Sequence, residues 1–172
     1  MPKAPAAQLP PAVSLPQTSG TYLNMGRYFL SQGQPELAHD AFIRSLRVEG
    51  VSAAAFSGAG VAAEKQGLLH QAERYFEKAV RLAPNSVVAF NNLGAVRYQM
   101  GQFTEAKHAF ETAFKLSSGQ SPVAGLNLAL VERAMNEADG QELALAPNPV
   151  PLQRLGTGEY ALGTPRALGT EE

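Results

Sequence analysis

The sequence predicts an all-α solenoid of three helical hairpins closed by one further helix. Two observations carry this. Five columns of residues recur in phase at a spacing of 34: Gly33, Gly67 and Gly101; Gly26, Gly60 and Gly94; Ala38, Ala72 and Ala106; Phe42, Phe76 and Phe110; and Tyr22, Phe56 and Phe90. Recurrence at that length marks stacked units that cannot bury their apolar faces alone. Within each unit, apolar or small letters fall at positions 4, 7, 8 and 11 and again at 17, 20, 24 and 27, with Arg97 the exception. That i, i+3, i+4, i+7 spacing describes two successive helices with one apolar side each.

The units are 19–52, 53–86 and 87–120. An interior glycine costs about 1 kcal/mol relative to alanine in a helix, so each glycine column needs a reason. Gly26, Gly60 and Gly94 are placed on the packed side of the first helix, where a missing Cβ lets the second helix come close through Ala38, Ala72 and Ala106. Gly33, Gly67 and Gly101 follow the last residue of the first helix, where a left-handed cap is needed. A fourth, partial unit follows: AGLNLALVER (124–133) aligns with AFNNLGAVRY (89–98) at a spacing of 35. Ser121 and Pro122 read as its N-cap and first helical residue. This capping helix, 121–138, covers the apolar face that a last repeat leaves open. Asp139-Gly140 should end it. The first twenty residues hold five prolines and read as a disordered arm, and 139–172 reads as a disordered Pro- and Gly-rich tail without assigned structure.

Several function classes drop out. The chain has 14 basic and 15 acidic side chains and offers no basic field for nucleic acid. It has no cysteine, so disulfides, thiolate metal sites and thiol nucleophiles are excluded within it. No apolar run approaches the roughly 18 residues of a membrane span, so membrane insertion is not expected. The chain as written carries no address, which implies the cytoplasm, or the periplasm if a signal has been removed. His39, His70 and His108 occupy different repeat positions and are expected on solvated faces. Arg74 and Lys78 with Glu73 and Glu77 are expected to form surface ion pairs. With no phosphate loop and no nucleophile motif, neither an enzyme nor a cofactor is expected.

The columns resemble the tetratricopeptide repeat family, whose pattern has an aromatic at position 4, Leu-Gly at 7 and 8, Gly at 15, Ala at 20, an aromatic at 24, Ala at 27 and Pro at 32. Residues 55–86 and 89–118 carry it best, and 22–50 follows with Ser45 at the second small position and Gly50 in place of proline. Arg97 and Ser118 also depart from it. Arg97 occupies an interior position, and its stem is expected to pack while the guanidinium reaches solvent or Glu132.

The resemblance implies a right-handed solenoid whose ligand lies on the first helices. Carried over by position, the groove holds Leu23, Arg27 and Leu30; Ser57, Val61 and Glu64; Asn91, Ala95 and Tyr98; and Leu126, Leu130 and Arg133 on the capping helix. Some relatives clamp a chaperone's C-terminal carboxylate with Lys and Asn, but Leu23 and Arg27 replace that pair here and Val61, Glu64 and Ala95 supply no cation. A co-chaperone is therefore the weaker implication. The Ala-rich style also resembles small proteins of bacterial tight-adherence (Flp) pilus assembly and secretion. The expected function is a non-catalytic adaptor or assembly factor that binds a protein partner's short apolar peptide or helix, with self-association as the alternative. Leu23, Leu30, Val61, Leu126 and Leu130 should form an apolar strip open to water, covered by a partner or by the chain's own Leu143, Leu145, Leu152 and Leu155.

Overall fold

The computed structural model describes residues 20–140, 152–155 and 159–162. Seven helices follow one another: α1 (Thr21–Ser31), α2 (Pro35–Val48), α3 (Ala53–Lys65), α4 (Leu69–Leu82), α5 (Val87–Gln99), α6 (Phe103–Leu116) and α7 (Pro122–Gly140). Each helix packs on the next, and the first helices of the hairpins also touch in the order α1, α3, α5, α7. That order builds a solenoid with the first helices along one face. The expected arm lies outside the described residues, as does most of the expected tail. Within that tail, however, β1 (Leu152–Leu155) and β2 (Glu159–Leu162) pair antiparallel, with Leu152 opposite Leu162 and Leu155 opposite Glu159. No structure was expected there, because two four-residue strands leave too little periodicity to read.

Helix ends follow local chemistry. Ser52, Ser86 and Ser121 cap α3, α5 and α7, each hydroxyl accepting a hydrogen bond at 3.2 Å from the N–H of Ala55, Ala89 or Ala124. The hairpin turns carry Gly33, Gly67 and Gly101 at φ +69°, +75° and +75°, the left-handed geometry expected of them. Ser118 explains its own departure from the family pattern: its φ is +53°, which the ring of a proline forbids. The capping helix runs to Gly140, two residues past its expected end, within the one or two residues over which helix ends fray.

The glycine column has a different neighbour from the one expected. A Cβ on Gly26, Gly60 or Gly94 would meet the ring of Phe42, Phe76 or Phe110 at 2.6–2.7 Å, rather than Ala38, Ala72 or Ala106. The alanines are fully buried beside those rings. Each hairpin is thus closed by an aromatic ring laid flat on glycine, with alanine leaving room for it.

One end of the solenoid is held by a side chain. Helix α1 begins at Gly20, which has no side chain to accept its first amides. Glu49, at the end of α2, does so instead: the N–H of Tyr22 donates to Oε1 at 2.6 Å and that of Leu23 to Oε2 at 3.3 Å. The buried Ser45 hydroxyl donates to the same Oε2 at 2.7 Å, which accounts for serine in an alanine column. Desolvation pushes this carboxyl up, but Ser45 and the two amides outweigh it and hold it below its ordinary 4.5. A carboxylate depressed by folding stabilises the fold above its unfolded value and loses that stabilisation as the pH falls through the folded one. Glu49→Gln is therefore expected to lower Tm at neutral pH, and the difference from the parent should shrink as the pH is taken below 4.5. Thermal denaturation across pH checks this; a difference that stays constant would exclude the carboxylate as the cap.

Candidate functional site

The face formed by α1, α3, α5 and α7 is uneven. On α1, Leu23 and Leu30 are half-buried against the core and Arg27 is exposed, its Nη1 donating to Asn24 Oδ1 at 3.5 Å. On α3, Ser57 and Glu64 are half-buried while Val61 is only 2% exposed. On α5, Asn91, Ala95 and Tyr98 are all buried. On α7, Leu126 is 51% exposed, Leu130 packs partly on the core, and Arg133 is exposed and paired with Glu137 at 2.6 Å. The expected open apolar strip is therefore corrected. Val61 belongs to the core cluster with Phe76 and Leu93, Leu30 and Leu130 turn partly into it, and Leu23 turns partly into the neighbouring cluster around Phe42. Adjacent first helices of a tight solenoid consume the apolar side chains between them.

Polar side chains occupy the middle of this face. Asn127 Nδ2 donates to Asn91 Oδ1 at 2.9 Å, and both amides are buried. In the repeat register Asn127 is the counterpart of Asn92, and Ser57 stands where Asn91 would meet it one unit earlier. Asn92 is itself 1% exposed, and neither its amide oxygen nor its amide nitrogen has a hydrogen-bond partner among the described residues. Glu64 Oε1 accepts from Gln99 Nε2 at 3.1 Å, while its other oxygen is buried without a partner among the described residues. Burial pushes this carboxyl up, against the smaller effects of Gln99 and Lys65. Tyr98 lies against Phe103, ring centroids 5.4 Å apart, and its hydroxyl is pushed up by burial and by Glu137, with Arg133 opposing.

A primary amide offers a donor and an acceptor side by side, the complement of a peptide group. Two of these buried asparagines, Asn92 and Asn127, lie outside the set inferred from the family positions. Their signal was in the sequence: the alignment of 124–133 on 89–98 matches asparagine with asparagine at 92 and 127.

Two further expectations change. Arg97 does not reach Glu132, which pairs with Lys107 at 3.1 Å. Its guanidinium lies between Glu73 at 3.0 Å and Glu77 at 3.2 Å, both on α4. Those glutamates stand one turn apart on the preceding helix and so clamp a planar cation across the repeat junction. Lys78, freed from them, sits 5.3 Å from the centre of the Phe56 ring. His70 and His108 are exposed, whereas His39 is half-buried with Nε2 3.0 Å from the Tyr75 hydroxyl. Burial lowers its pKa, with Asp40 opposing.

The tetratricopeptide repeat profile matches residues 23–87, and a second profile of that description matches 75–108. The chain belongs to the tetratricopeptide repeat family. None of the curated proteins matches it. Among solved structures, this tetratricopeptide repeat chain is similar to the second such domain of human RPAP3, seen with the HSP70 peptide SGPTIEEVD (25% identity, 66% of this chain and 94% of that one, TM-score 0.62). It is also similar to the second domain of Spaghetti (RPAP3) bound to the HSP90 peptide SRMEEVD (27% identity, 58% and 93%, TM-score 0.55). The Sgt2 domain from Aspergillus fumigatus shares the fold at 21% identity over 76% of this chain and 87% of that one, TM-score 0.69. A tetratricopeptide repeat solenoid is a protein-interaction scaffold, and no helix among the described residues is long and apolar enough to cross a membrane.

Proposed function

We propose that the protein is a non-catalytic peptide-binding module that holds a segment of a partner protein on the part of its concave face centred on α5. The observation that carries this is Asn92, next to Asn91 in the chain of α5 and buried with neither amide atom partnered among the described residues. A buried polar group left in that state costs roughly 1–3 kcal/mol. Such a cost is sustained where a ligand's backbone repays it. The peptides held by the RPAP3 domains support the general mode. Their acidic ends do not suit this groove, where Glu64 presents a buried oxygen and Leu23, Val61 and Ala95 bring no cation. The proposal is thus a peptide without an acidic C-terminus, and it leaves pilus assembly and secretion aside because none of the similar structures bears on them.

Peptides selected from a random displayed library on the immobilised chain test this, with affinities measured on the parent and on Asn92→Leu. The leucine fills the site without the amide, so stability should rise by about 1–3 kcal/mol while peptide affinity falls about tenfold. Unchanged affinity would remove Asn92 from the site. If copies of the chain bind one another instead, light scattering at micromolar concentration would show a dimer or larger species, and the proposal requires a monomer.

A further inference from the structure

Helix α5 is buried at groove positions where its neighbours are mostly open. Its buried residues run unbroken from Asn91 to Val96, with Ala89 and Tyr98 in addition. Six consecutive buried positions exceed one 3.6-residue turn and so face every direction, the groove included. All three groove positions of α5 are buried, against one on α3 and none on α1 or α7. The cover is therefore local. The strand β2 lies against α5 and, less extensively, α7, the two helices joined by the Asn91–Asn127 hydrogen bond.

We propose that β2 is a ligand the chain carries for its own groove, and that a partner's extended segment binds by displacing it. Three physical points support this. An isolated two-stranded hairpin is marginal in water at best, so the helical surface beneath it is part of what holds it together. A hairpin strand also keeps one row of backbone N–H and C=O groups unpaired, and these need donors and acceptors when laid on protein. The α5 and α7 face supplies asparagine amides, which offer both. Finally, a segment on a short tether has an effective concentration on the order of 1 mM. An intrinsic dissociation constant near 0.1 mM is then enough to keep the groove about 90% closed.

The displacement step rests on the groove reading above; the seating of β2 does not, and it is tested without any partner. Because the chain has no cysteine, a single nitroxide at Thr157→Cys, between the strands, is unambiguous. The amide signals of α5 and α7 should lose intensity while those of α2 do not, and mixing labelled with unlabelled isotopically enriched chain should transmit no loss. Absence of selective loss on α5, or loss in the mixed sample, overturns the proposal; the latter would place a second copy's hairpin there. Ala161→Pro, in β2 opposite Gln153, removes a strand N–H without touching the solenoid. In that variant the loss on α5 should disappear with helical circular dichroism unchanged. A synthetic peptide spanning 150–164 should bind it at about 0.1 mM and bind the intact chain about tenfold more weakly. Equal affinity for the two chains would also overturn the seating of β2.

Discussion

Gly58→Ala is expected to destabilise the protein by roughly 1–3 kcal/mol through overpacking, although alanine is the better helix former by about 1 kcal/mol. The two effects oppose, and geometry decides between them. The Phe42 ring is held between Gly26 on α1 and Gly58 on α3: a Cβ on Gly26 would come within 2.6 Å of it, and one on Gly58 would also overlap it. A ring with one glycine neighbour could shift away from a new methyl. A ring between two cannot, because relief on one side is a collision on the other. Phe42→Ala should cost more, about 3–5 kcal/mol, since a fully buried aromatic leaves a cavity between three helices. Urea denaturation with an unchanged slope measures both. A stabilised Gly58→Ala would mean that the two hairpins are not joined through this ring.

Ending the chain after Ser118 is expected to lower Tm by roughly 10–20 °C, whereas ending it after Gly140 should change it by no more than a few degrees. Helix α7 buries Ala124, Asn127 and Val131 completely and lays Leu128, Leu130 and Ala134 on the core that holds Phe110 and Val96. Fully burying one such aliphatic side chain contributes about 1.5–3 kcal/mol, and a domain's whole stability is on the order of 5–15 kcal/mol. Removing α7 also leaves the Asn91 amide without Asn127. The hairpin beyond Gly140 leans on α5 and α7, and a two-stranded hairpin that is marginal by itself adds little to their stability. Melting curves of the three chains decide the matter: a chain ending at Gly140 that melts as low as the one ending at Ser118 would make the hairpin, rather than α7, the closing element.

The repeat was legible because each of its columns answers a requirement that recurs in every hairpin. Glycine at 33, 67 and 101 meets a local backbone need, and local needs survive in single letters. Ser121 and Pro122 announced α7 in the same way. Gly58 was not legible, since it lies outside the glycine columns and its reason is a ring from another hairpin. Arg97 showed as an anomaly, but its partners did not. Glu73 and Glu77 lie 24 and 20 residues away on α4, and choosing them over Glu132 requires knowing how one hairpin is rotated on the next.

The sequence by itself determined the helices and their pairing, because periodicity and turn chemistry act over a few residues and repeat; the face on which the first helices line up came from the family resemblance those repeats carry. Only the tertiary structure decided what that face contains. It turned Val61 into core, buried Asn92 without a partner among the described residues, brought Asn127 onto Asn91 and laid β2 against α5 and α7. Each of these depends on the separation and rotation of stacked hairpins, to which every side chain in the interfaces contributes a little and no single residue a signature.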